Sequence, residues 1–455
     1  MDTKQRAHFG GRFAVVMAMA GSAIGLGNIW RFPYMVGQHG GAAFILVYFF
    51  ASVFLSLPIF LAESIIGRRA HAGTFSAFSK LAPGTAWKWL SLIPVFSPVL
   101  ILSYYSVVGG WSADYLLRAA QGVFATTSPE VVKTLFASFI SSPWRPLVFH
   151  TVFIGMTALI VLGGVNKGIE RFSKISIPTL FVLVLVIMGY SMSLPGARAG
   201  IDYLIRPDFS KLDADALAAA MGQSFFSLSL GVGCILIYSS YVRKDENLVV
   251  SGFGTAFFDL LFALIAGFAI MPAVFAANIE PGAGPGLIFE TLPYIFARMG
   301  VDIPALGTVI PVLFFIAILV AALSSSISLL EAGVSFLVEE VGMCRKGAIA
   351  ILTVLCWILG AFCSLSFGPL HNAAGEPGIF NFCDQLVSNF LMPFGSLLFT
   401  LFVGWQLDKG AVREELLTGR GDDRRRRRMF PVLYYSIRYV APLVILAVFL
   451  TNLFW

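Results

Sequence analysis

The chain has 455 residues, of which 58% are hydrophobic and only 12% charged, with a formal net charge of +6. A water-soluble domain carries about twice that charged fraction, and the apolar residues here come in runs near the ~20 needed to cross a bilayer. A soluble globular protein is therefore excluded, and the positive charge does not indicate nucleic acid, because its densest part lies in a short loop between two apolar segments.

Eleven spans are expected, near residues 13–36, 42–69, 88–121, 146–163, 169–190, 216–240, 251–277, 304–341, 347–366, 384–407 and 430–453. The first run has no small-residue cleavage pattern after it, so no cleavable signal peptide is expected. Span 1 carries Gly25-Leu26-Gly27-Asn28, and span 6 carries Ser229-Leu230-Gly231-Val232-Gly233. Each glycine costs about 1 kcal/mol in a helix interior, so two in mid-span beside small polar residues predict a local break. Freed carbonyls suit a small cation, and half-helix N-termini suit a carboxylate. Either Gly-x-Gly alone is equally a helix-packing motif. The two lie about 206 residues apart, near half of a ten-helix unit, as expected for two inverted repeats with a site between them.

Further along, span 7 carries Asp259 and span 8 carries Ser324, Ser325 and Ser326. A mid-membrane carboxylate points to function, although a structural carboxylate bonded inside the bundle is the alternative. Serines in an apolar helix are often backbone-bonded packing residues. Outside the spans, 278–303 is an external stretch in which 284–300 is expected to form a short amphipathic helix. The five arginines at 424–428 read as an anchor at anionic lipid. With the N-terminus inside, 22 Lys/Arg fall in cytoplasmic segments and seven outside, which sets that orientation and places the C-terminus outside. The five cysteines show no metal-ligand spacing. No HExxH or GxSxG motif is present, so an enzyme is not expected.

The stretch GSAIGLGNIWRFP (21–33) resembles the first-helix signature of the neurotransmitter:sodium symporter family. The resemblance continues through Glu63, Tyr104-Tyr105, FFSLSLGVG (225–233), SSYVRKD (239–245) and ALSSSIS (322–328), in the family's order. It implies the LeuT fold: an all-α membrane protein with two inverted five-helix repeats, 1–195 and 196–410. Residues 411–455 would add the arginine-rich loop and an eleventh helix. It also implies sodium-coupled uptake of amino acids or related amines across the cell inner membrane, with no nucleic-acid or obligate protein partner.

The resemblance also assigns roles. One sodium site, Na1, would use the Ala23 carbonyl, the side chains of Asn28 and Asp259, Ser227, and the substrate carboxylate. The second, Na2, would use the carbonyls of Gly21, Ile24 and Ala321 and the hydroxyls of Ser324 and Ser325. Oxygen-only ligation suits a hard cation. Asp259 stands where many members have Asn, so chloride independence is expected. Substrate would meet the amides near Leu26 and Gly27, the Tyr105 hydroxyl, and the carbonyls of Ala23, Phe226 and Ser227. Its amine would also meet the Ser229 hydroxyl. Its side chain would lie among Ser22, Ile101, Tyr105, Phe226, Val232, Ser325 and Leu329. That pocket has no acid or base, and Val232 replaces a bulkier residue of a leucine-binding relative. A large aliphatic or aromatic amino acid is the expected substrate; an amine, an osmolyte, or a sensing role are the alternatives. The outer gate would pair Arg31 with Asp384, and the inner gate Arg6 with Glu339 near Ser240 and Tyr241. Glu63 would bond the unwound part of span 6. Gly168 and Pro178 would mark where span 5 unwinds, although read alone Gly168 is also a plain loop glycine.

Overall fold

The computed structural model describes residues 8–278, 287–302, 304–371, 378–419 and 423–454. No strand occurs among the described residues. Among the described residues, nine helices are long and apolar enough to cross a membrane. They run over 42–70, 87–120, 145–162, 165–192, 248–276, 305–339, 345–365, 378–406 and 427–450. A tenth is the bent pair Arg12–Ala23 and Gly27–Gln38, which turns by 54°. Between spans 5 and 7 lies a second interrupted helix, Ala214–Ser227 and Cys234–Ser240, whose halves are each too short to cross alone.

Both interruptions fall at the glycines marked in the sequence. In span 1 the α-helix ends at Ala23, Ile24 turns extended with ψ 107°, and the chain resumes as a π-helical turn at Gly27. In span 6 residues 228–233 form an irregular turn with positive φ at Ser229 (53°), Gly231 (80°) and Gly233 (71°). Three left-handed residues in six cannot belong to an α-helix. Gly231 is also squeezed: a Cβ there would stand 2.0 Å from the Met392 carbonyl oxygen. The segment is irregular at membrane depth because span 10 touches its backbone.

Differences from the expected spans lie at their ends. Span 10 begins near residue 378 rather than 384. The short helix expected at 284–300 appears as Leu292–Asp302 after a π-helical turn at Leu287–Thr291. Short helices at Thr74–Leu81, Pro129–Ile140, Ala197–Ile205 and Lys409–Leu417 were not visible as spans. Arg68, fully buried, binds Glu415 at 2.6 Å and the carbonyls of Glu246 and Glu415, fastening the end of span 2 to the loop after span 6 and to the short helix Lys409–Leu417. A charge buried this deeply persists only when its donors are answered. Span 5 runs as one helix past Pro178, with a π-helical start at Val165–Glu170, so the unwinding expected at Gly168 is not present in this conformation.

Candidate functional site

The break in span 1 frees backbone groups, and other spans answer them. The Gly25 N–H donates to Asn28 Oδ1 at 3.1 Å, the Leu26 N–H to the Tyr105 hydroxyl at 3.2 Å, and Gln223 Nε2 to the Gly27 carbonyl at 3.0 Å. In span 6 the Gly231 N–H donates to Glu63 at 2.7 Å and the Leu236 N–H at 3.3 Å. Glu63 is fully buried and takes the place of water for both amides.

Around Asp259 the structure gathers three polar side chains from three other spans. Asn28 Nδ2 donates to Asp259 Oδ1 at 2.8 Å and to Ser227 Oγ at 3.1 Å. The Ser227 hydroxyl lies 2.8 and 2.9 Å from the two carboxylate oxygens. The Tyr48 hydroxyl donates to Oδ2 at 3.2 Å. All four residues are buried. Asn28, Ser227 and Asp259 are brought together as the sequence placed them; Tyr48 and Gln223 were missed. Tyr48 sits in the run AAFILVYFFA, where no local signal separates it from packing residues.

A second oxygen cluster joins spans 1 and 8. The Ser324 hydroxyl lies 3.0 Å from the Ile24 carbonyl and 2.8 Å from that of Ala321. The Ser325 hydroxyl turns instead to the Ser22 carbonyl at 3.3 Å. Gly21 faces span 5, where a Cβ would stand 3.0 Å from Ser173 Oγ.

Between the two breaks lies a cavity of about 30 Å³. Ile101, Phe226, Val232, Leu329 and Met392 form its apolar walls. Tyr105, Ser229 and Ser325 supply hydroxyls, and Ala23, Gly25 and Gly27 line it along span 1. The Ser229 hydroxyl donates to the Ser22 carbonyl at 2.8 Å. The Ser22 side chain, expected in the pocket, instead bonds Ser328 Oγ at 2.8 Å and leaves only its carbonyl on this side. Met392 was missed; a methionine two residues into an apolar stretch has no distinguishing signal. The cavity is small, and the flexible Met392 and the Phe226 ring form part of its wall.

Above this cavity a second, of about 120 Å³, is lined by Arg31, Tyr104, Phe226 and Asp384. The expected Arg31–Asp384 ion pair is not formed. The guanidinium sits over the Phe226 ring at 4.8 Å, and its Nη1 has no hydrogen-bond partner among the described residues. At the opposite end a cavity of about 650 Å³ is lined by Tyr241, Glu331, Glu339 and Arg345, among others. There Tyr241 bonds Glu331 at 2.8 Å, and Arg345 bonds the same carboxylate at 2.6 and 3.0 Å. Glu339 accepts from the Gly73 N–H at 2.7 Å and from Ser335 at 2.8 Å. Arg6 lies outside the described residues. The carboxylate bonded to Tyr241 is thus Glu331, which was missed; its signal is an acid inside an apolar helix.

Two interrupted helices, with buried oxygen clusters and a small cavity between them, are the arrangement expected of a secondary transporter. The family profile of the sodium:neurotransmitter symporters matches residues 6–131 and 145–454. A sodium-dependent transporter of Bacillus subtilis, YhdH, is 36% identical over 99% of this chain and 98% of its own length. A sodium-dependent transporter of Haemophilus influenzae is 33% identical over 100% and 99%. The crystal structure of MhsT in complex with L-phenylalanine superposes with a TM-score of 0.90 at 40% identity, covering 98% of this chain and 100% of that one. The chain belongs to the sodium:neurotransmitter symporter family, has the LeuT fold, and is a sodium-dependent transporter rather than an enzyme.

Proposed function

We propose that this symporter takes up a large apolar α-amino acid together with two sodium ions, independently of chloride. The observation that carries the reading is the central cavity, which has apolar walls, three hydroxyls and no acidic or basic side chain. An ionised substrate side chain would have nothing to pair with there, whereas an aliphatic or aromatic one gains about 25 cal/mol per Å² buried. MhsT, the structural relative holding L-phenylalanine, supports the same class.

The first ion binds at the Asp259 cluster. Rotation of the Asn28 amide would exchange Nδ2 for Oδ1 and give, with Ser227 and Asp259, the oxygen set that a hard cation prefers. The Ala23 carbonyl and the substrate carboxylate complete it. The second ion binds between the carbonyls of Gly21, Ile24 and Ala321 and the hydroxyls of Ser324 and Ser325. The Asp259 carboxylate supplies the negative charge that would otherwise come from an anion. The N-terminus is cytoplasmic and the C-terminus external, as the basic loops dictate. Arg31, Asp384 and Phe226 close the outer path. Tyr241, Glu331 and Arg345 close the inner one, with Glu339 on the same cavity wall. Each sodium moving inward gains about 2.3 kcal/mol per 100 mV, and a tenfold gradient adds about 1.4 kcal/mol. Two ions therefore supply about 7 kcal/mol, enough for roughly 10⁵-fold accumulation.

A thermal-shift screen of the twenty amino acids in sodium and in potassium tests the substrate. Leucine, isoleucine, methionine, phenylalanine, tyrosine or tryptophan should raise the melting temperature in sodium only; stabilisation by γ-amino acids or betaine instead would overturn the substrate class. Replacing chloride by gluconate should leave proteoliposome uptake unchanged. Asn28→Ala should remove the sodium-dependent shift, and a shift of wild-type size would rule out the first cation site.

A narrower prediction concerns pocket size. Val232→Phe adds a ring to a cavity that is already small. The largest aromatic substrate should lose at least ~10-fold in apparent affinity while leucine loses less, measured by competition against labelled substrate. Equal losses for both would remove Val232 from the size-setting wall.

A further inference from the structure

A recess of about 430 Å³ lies on the outer wall of the bundle, where spans 4, 5 and 8 meet. Leu159, Phe172, Ile175 and Thr179 form its long apolar side. Leu159 is 69% exposed and Ile175 is 61% exposed, which in a membrane span means that they face lipid. At one end Lys167 and Arg171 line the same recess, four residues apart at the start of span 5. Neither has an ion pair or side-chain hydrogen bond among the described residues, whereas the neighbouring Lys174 is held by Glu170 at 2.6 Å. Deeper in, Ser176 is only 5% exposed, and its hydroxyl has no hydrogen-bond partner among the described residues.

The backbone explains why the recess exists. A Cβ on Gly168 would stand 2.1 Å from the Ile160 carbonyl oxygen, so spans 4 and 5 touch through their main chains at this point. The larger side chains on either side leave a groove running away from that contact toward the membrane interior.

We propose that this recess binds an anionic glycerophospholipid of the surrounding membrane. Its phosphate lies between Lys167 and Arg171, one acyl chain follows the apolar groove, and an ester oxygen accepts from Ser176. The two unanswered cations sit at one end of an apolar, lipid-facing channel, which is the charge pattern of an acidic headgroup followed by its tail. A zwitterionic lipid would fill the groove but return little for the cations.

The test uses the full-length purified protein and native mass spectrometry, titrating phosphatidylglycerol and phosphatidylcholine of equal chain length. Phosphatidylglycerol should bind at least ~10-fold more tightly. Lys167→Gln with Arg171→Gln should weaken it about 30-fold, equivalent to about 1 kcal/mol per charge at about 1.4 kcal/mol per tenfold. Thr179→Trp, which fills the groove and keeps both charges, should displace it as well. Arg243→Gln with Lys244→Gln removes the same charge elsewhere and should change nothing. Retention of the sodium-dependent thermal shift certifies that each variant is folded. Equal binding of the two lipids by the wild-type protein overturns the proposal without any variant. Equal losses in both charge variants, or no loss in a folded Thr179→Trp, would also overturn it.

Discussion

Asp259→Ala should abolish sodium-stimulated uptake in proteoliposomes and the rise in melting temperature that sodium produces. The Asp259 carboxylate accepts from Asn28, Ser227 and Tyr48, so its removal strands three buried donors at once. Hydrogen bonds to a charged group are worth about 1.5–3 kcal/mol each, and a cation at this point would also lose its formally negative ligand. Sodium affinity should fall at least ~100-fold, which corresponds to about 2.7 kcal/mol. Asp259→Asn keeps the shape and one acceptor oxygen, so it should fold while still binding sodium weakly. Wild-type sodium dependence in a folded Asp259→Ala protein would show that the coupling ion binds elsewhere.

Gly231→Ala should lower the melting temperature and eliminate transport. Gly231 has φ +80°, a conformation that costs a residue with a side chain about 1–3 kcal/mol. The steric cost is larger still, because the new Cβ would stand 2.0 Å from the Met392 carbonyl oxygen and 2.7 Å from Ser396 Oγ. The Met392 carbonyl has little room to retreat, because the same stretch of span 10 already touches the turn through its backbone: a Cβ on Gly395 would come 1.8 Å from the Gly231 carbonyl oxygen. The turn is also pinned by Glu63 through the Gly231 amide. Gly222→Ala is the control within the same span. Its Cβ meets nothing within 4 Å, and in a helix interior it should be neutral or stabilising by up to ~1 kcal/mol. If both variants melted alike, backbone contact with span 10 would not be what shapes the turn.

These two residues differ in how visible they were. Gly231 announces itself locally, since two glycines beside small hydroxyls in mid-span break a helix wherever they occur. Asp259 announces itself by cost, as a carboxylate at membrane depth. Its partner Tyr48 does not, because a tyrosine among phenylalanines reads as packing until span 2 is set beside span 7. The same holds at the inner end. Glu331, which bonds Tyr241, lies two helical turns before Glu339 on the same helix and reads as one more buried acid until spans 6 and 8 are set side by side; the expected Arg6–Glu339 pair has its arginine outside the described residues. At the outer end Arg31 and Asp384 share a cavity wall without touching.

The sequence alone determined that this chain lives in a bilayer, where its helices break, and which residue types could meet a cation there. Those are local properties, fixed by apolar run length, glycine and the cost of burying charge. Only the tertiary structure decided which carboxylate answers which donor, that Ser22 turns away from the cavity, and that Met392 closes it. Those contacts join residues tens to hundreds of positions apart, and they depend on how each helix is rotated and how closely its neighbours approach. Rotation and approach belong to the packed bundle rather than to any one segment.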